Sequence, residues 1–213
     1  MNTGCVALLL AGILAIGAMP VWAQEEPTVK RAESVPEPVD PPAPSNEAMT
    51  LLPGPANWRG ERIALPPEFA PELPFTGVEE LRFSPGMYDP QASDFFSYLF
   101  AFALEQDRVL DKASIERLLL HYYRGLCQTV AEGNEFDCPA EAVTLTLTPV
   151  VGGYLGELQW IEPFVTGQSQ TLYLELLPGH GEQAYLYGAA SPKDLQDDQW
   201  QNLRRYLHLP DEP

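Results

Sequence analysis

The chain has 213 residues, with 12 basic against 30 acidic side chains and a formal net charge of −18. That balance argues against nucleic acid and anionic lipid surfaces as partners, because binding either takes a basic patch that displaces counterions. It leaves cationic partners and divalent cations open.

Residues 1–23 read as a secretory signal peptide. An uncharged apolar run from Cys5 to Met19 ends at Pro20, and Val21 and Ala23 place small residues at the −3 and −1 positions of a cleavage site. The run is shorter than the roughly 18–20 apolar residues a spanning helix needs. The expected location is therefore periplasmic or secreted, with no stable membrane insertion after cleavage. Residues 24–55 change composition sharply, with proline at 27, 36, 38, 41, 42, 44, 53 and 55 among acidic and small polar residues. Such a stretch buries too little apolar surface to offset its ordering entropy and reads as a disordered acidic leader, partly polyproline II. Residues 56–210 then form one domain, long enough to bury about 68–70% of its unfolded surface.

Within that domain Glu61–Leu65 and Val78–Phe83 read as short strands. Phe95–Leu104 alternates Phe96, Tyr98, Phe100, Phe102 and Leu104 with small apolar residues. A strand with no polar face belongs in the middle of a sheet, covered on both sides. Lys112–Ala131 reads as a helix with Ile115, Leu118, Leu119, Tyr122, Leu126 and Val130 on one side, a cap at Asp111 or Ser114, and Gly133 as a left-handed exit. Four half-polar strands follow at Val143–Leu147, Tyr154–Ile161, Leu172–Leu176 and Ala184–Tyr187, joined by short turns as an antiparallel meander. A last helix is predicted from near Ser191-Pro192, packing through Leu195, Trp200, Leu203 and Leu207. The order predicts an α+β fold, an antiparallel sheet of six to seven strands with two main helices. Whether the helices share a face is left open, and the doubly covered Phe95–Leu104 favours opposite faces and a layered sandwich.

With Cys5 removed in the signal, Cys127 and Cys138 remain as an even pair. Their spacing suits neither a zinc ribbon nor a redox pair, and in an oxidising compartment it predicts a structural disulfide.

Reactive motifs are missing. There is no G-x-S-x-G nucleophile turn and no H-E-x-x-H zinc pattern, and Gly179–Ala184 matches G-x-G-x-x-A only between two strands, where a hairpin loop is the plainer reading. The acidic loop Glu132–Asp137 lacks the ligand spacing of a calcium loop. No metal or cofactor is expected. Two surfaces stand out. Arg117, His121 and Arg124 form a basic strip on the polar side of the first helix, able to meet an anionic group but more simply a solvated face. Tyr173, Tyr185 and Tyr187, with Thr144, Thr146, Glu157, Gln159 and Glu175, lie on one face of the meander. There they suit a small polar ligand or a protein partner, unless the last helix buries them.

The phrases LRFSPGMYDPQASDFFSY (Leu81–Tyr98) and Tyr122-Tyr123-Arg124-Gly125-Leu126 resemble an uncharacterised group of exported bacterial proteins, as does the preceding LPPEFAPELPFTGVEELRF. The resemblance implies a bacterial, exported setting and no activity. Two functions follow as expectations: a noncatalytic binding or accessory domain, and, as the alternative, a small secreted hydrolase using carboxylates or His121.

Overall fold

The computed structural model describes residues 49–52, 54–106 and 110–207. The predicted signal peptide and the leader as far as residue 48 lie outside them. β1 (Arg59–Leu65), β2 (Gly77–Phe83) and β3 (Tyr98–Leu104) form one antiparallel meander. After the helix α1 (Lys112–Gly133), β4 (Thr144–Val150), β5 (Gly153–Ile161), β6 (Ser169–His180) and β7 (Ala184–Ser191) form a second, and α2 (Asp198–Arg204) follows. β3 and β7 pair antiparallel and join the two, giving one seven-stranded sheet in the order β1-β2-β3-β7-β6-β5-β4. The fold is α+β.

The period-two pattern divides the side chains between two cores. Phe100, Phe102, Leu158, Trp160, Leu174 and Leu186 face α1, meeting Ile115, Leu118, Leu119, Tyr122 and Tyr123. Leu99, Ala101, Tyr187 and Ala189 face the other way, beneath Trp200 and Leu203 of α2 and beneath Met49, Leu52 and Trp58. β3, all seven of whose residues are buried, is therefore covered on both sides, as its composition requires. The two helices lie on opposite faces.

Several boundaries differ from those read in the sequence. β3 starts at Tyr98, because Phe96 takes a left-handed φ of 49° in the loop before it. α1 is capped by Asp111, whose carboxylate accepts the Ser114 N–H at 2.8 Å. Its buried side turns toward Tyr123, Cys127 and Ala131, while Leu126 and Val130 are only half-buried. Gly133 is the last helical residue rather than a left-handed exit. Asn134 caps the end with φ −106°, and Glu135 takes the positive φ of 60°. Ser191-Pro192 does not open α2. Ser191 ends β7 with its Oγ 2.9 Å from Ser97 Oγ, and Asp197 caps α2 by accepting the Gln199 N–H at 2.8 Å. Gly179–Ala184 is a hairpin, with β6 running on to His180 before the turn.

The packed chain also begins before residue 56. Glu80 on β2 accepts the backbone N–H groups of Thr50, Leu51 and Leu52 at 3.0, 2.8 and 3.0 Å, and pairs with Arg62. Next to it, Arg82 donates from Nε to the Leu52 carbonyl at 2.9 Å. Two charged side chains of one strand thus buckle the segment onto the second face, where Met49 and Leu52 supply the apolar contact. Cys127 and Cys138 form the expected disulfide, with Cα atoms 5.9 Å apart, tying the end of α1 to the following loop. Among the described residues, no helix is long and apolar enough to cross a membrane.

Candidate ligand cavity

Between α1 and the β1–β3 end of the sheet lies an open cavity of about 240 Å³. Each wall has a local cause. β1 and β2 contribute Glu61, Ile63, Leu81 and Phe83, which the alternation of these strands sends to the α1 face. Tyr122 and Leu126 come from α1, one turn apart on the same side. Phe69 arrives on the loop after β1. This loop lies close against the helix because residue 125 is glycine; a Cβ there would collide with the Phe69 carbonyl. Trp160 reaches in from β5, with its indole N–H donating to Gln170 Oε1 at 3.0 Å.

The loop between β2 and β3 supplies Met87, Tyr88 and Phe96. Its own hydrogen bonds fix it: Ser84 Oγ donates to the Asp94 carbonyl at 2.7 Å, Gly86 N–H to the Asp94 carboxylate at 3.2 Å, and Phe96 N–H to the Met87 carbonyl at 3.1 Å. The left-handed backbone at Phe96 is costly for a bulky residue, of the order of 1–3 kcal/mol. The ring is held nonetheless, with its centroid 5.4 Å from Trp160, 5.7 Å from Phe164 and 6.0 Å from Tyr98. Phe164 completes the wall from a loop wrapped around the fully buried Glu162, whose carboxylate accepts the N–H groups of residues 164, 165 and 166 and the Thr166 hydroxyl.

Polar groups collect behind and beside this lining. Glu79 is 1% exposed, and its Oε2 has no hydrogen-bond partner. Burial holds its carboxyl well above the usual carboxylate range. The Tyr122 hydroxyl bonded to it opposes that rise, and the nearby Glu61 charge adds to it. Burial likewise raises the Tyr122 phenol, reinforced by Glu79. The Tyr98 and Tyr123 hydroxyls lie 2.5 Å apart, and burial raises both phenols. Burial thus favours the neutral O–H form of each group in this cluster. Glu61, half-exposed, is the charged side chain among the lining residues and has no ion-pair or hydrogen-bond partner among the described residues. Its charge is felt at Tyr88, as is that of Arg59.

The residues singled out in the sequence lie elsewhere. His121 is exposed on the side of α1 away from the cavity, with Nδ1 2.8 Å from the Arg117 carbonyl. Arg117 is exposed, whereas Arg124 is half-buried and bends to the Val143 carbonyl at 3.3 Å, so the strip does not converge on one point. On the second face, Tyr187 is 1% exposed and packed with α2, its hydroxyl unpartnered and its pKa pushed up to about 12 by burial. Tyr185 stacks on it at 6.2 Å, and Tyr173 is half-buried at the margin of the same cluster. Thr144, Thr146, Glu157 and Gln159 form an exposed polar patch over β4 and β5. The cavity itself was missed because its lining is scattered over the chain. The available signal was β2, where VEELRF puts Glu79 on one face and Glu80 and Arg82 on the other of a strand next to the sheet centre.

Among the described residues, no group of three or more His, Cys, Asp or Glu side chains is gathered to hold a metal ion. No family model, curated protein or solved structure matches the chain.

Proposed function

We propose that this protein is an exported bacterial binding domain that takes a small ligand into the aromatic cavity and does not transform it. The observation that carries the reading is the cavity: preformed, open, walled by Phe, Tyr and Trp rings, with few polar groups to orient a ligand, which is the usual make-up of a small-molecule site. Its lining groups are suited to contact rather than chemistry. Unreactive rings dominate, Glu61 stands without a neighbouring base or nucleophile in the wall, and Glu79 sits behind Tyr122. The disulfide fits an oxidising compartment, and the apolar run with a cleavage site at residues 21–23 supplies the export route.

Calorimetry with benzyl alcohol, a small neutral aromatic probe, tests the reading. The native oxidised protein is expected to bind it saturably, and Leu126→Trp, which fills the cavity from α1, is expected to weaken binding at least tenfold. Equal binding by both proteins would place the site elsewhere. Turnover of ester or glycoside substrates that is lost in His121→Ala would favour a hydrolase instead.

A further inference from the structure

We infer that the ligand of this cavity is a small organic cation of the alkylated-ammonium class. The inference rests on the cavity being the binding site and specifies what enters it.

Three features point the same way. The first is the wall itself. The rings of Tyr88, Tyr98, Tyr122, Phe96, Trp160 and Phe164 line one open cavity. A ring face carries partial negative charge, so an alkylated ammonium is attracted to it while its methyl groups still gain apolar contact. The second is charge. Glu61 is the charged side chain in the lining, it is unpaired among the described residues, and its field reaches Tyr88 and Tyr122 of the same lining. An unpaired carboxylate beside an apolar cavity is costly to desolvate unless a cation arrives to meet it. The third is the far field, since a net charge of −18 concentrates cations at the surface and repels anions.

The same features limit what the cation carries with it. A phosphate or carboxylate attached near the ammonium would lie next to Glu61, and no basic side chain lines the cavity to receive it. Arg59, exposed at the start of β1 and felt at the Tyr88 hydroxyl, stands outside the lining. An alkylated ammonium without an attached anion therefore fits, and a phosphate-bearing headgroup does not.

The test is calorimetric titration of the native oxidised protein, at fixed ionic strength, with choline, with its uncharged isostere 3,3-dimethyl-1-butanol, and with phosphocholine. Choline is expected to bind about tenfold more tightly than the isostere, the scale of a desolvated cation–π contact with a carboxylate nearby. Phosphocholine should bind at least fivefold more weakly than choline. Glu61→Gln is expected to weaken choline about fivefold and leave the alcohol unchanged, with circular dichroism and melting temperature verifying that the variant is folded. If choline and the alcohol bind equally and both are lost in Leu126→Trp, the cation inference is overturned and the cavity remains the site. Tighter binding of phosphocholine also overturns it. If neither probe binds the native protein, or both bind Leu126→Trp unchanged, the inference and the binding-cavity reading fail together.

Discussion

Glu79 is where a single side chain is most at odds with its surroundings. A carboxyl group on a strand beside the sheet centre, 1% exposed and held by Tyr122, stays protonated in the folded protein well above the pH at which it ionises in the unfolded chain. Between those two pKa values the native state binds more protons than the unfolded state, so stability falls as pH rises. The contribution is full below the unfolded value near 4.5 and is lost progressively above it, toward the raised folded value. Glu79→Gln cannot ionise and is expected to flatten this slope. The difference between wild-type and variant stabilities from urea titrations should widen in the variant's favour from pH 5 to pH 8. A constant difference across that range would mean that Glu79 is already ionised when folded. The alternation of β2 separates Glu79 from Glu80 in the sequence, but the burial of Glu79 was not legible there, because the Tyr122 bonded to it comes from α1, far along the chain. Its neighbour Glu80 has the same chemistry and the opposite environment, and only the strand's alternation separates them.

At the scale of elements, periodicity located β1 to β7 and α1 because each carries a pattern matched to one buried face or, in β3, to two. The alternation of Phe100, Phe102 and Leu104 with Leu99 and Ala101 marks the doubly covered strand in the sequence itself. The boundaries that moved did so where a local signal competed with a tertiary one: Phe96 is a good strand residue held in a left-handed turn by ring packing, and Ser191-Pro192 is a good helix start held in β7 by Ser97. The strap from Met49 to Leu52 was hidden for a related reason. Its composition is that of the leader, and what orders it is the distant Glu80 carboxylate. Removing that acceptor leaves three N–H groups and Arg62 without it, and takes away the negative charge beside Arg82. Glu80→Ala is therefore expected to cost about 3 kcal/mol, in the range for breaking a buried charged network. It should also open the segment around Trp58 to limited proteolysis. A variant with wild-type stability and protease resistance would show that Met49, Leu52 and Trp58 hold the strap without the carboxylate.

Across the molecule, the two meanders meet at β3 and β7, α1 covers one face, and α2 with the strap covers the other. The disulfide locks α1 at the end from which the chain leaves for the far edge strand β4. By the loop-closure argument, replacing both cysteines with alanine is expected to cost roughly 3 kcal/mol, read from chemical denaturation. Free-thiol labelling of the native protein should modify neither Cys127 nor Cys138. The layered arrangement also places two tryptophans as reporters: Trp160 in the cavity wall and Trp200 in the core of the opposite face, donating to the Lys193 carbonyl at 2.9 Å. The central claim, that the cavity is where a small ligand binds, is tested most directly by following the two indole N–H resonances in a ¹⁵N NMR titration with benzyl alcohol. The Trp160 signal is expected to shift saturably while Trp200 stays in place. An unmoved Trp160, or equal shifts at both indoles, would contradict it.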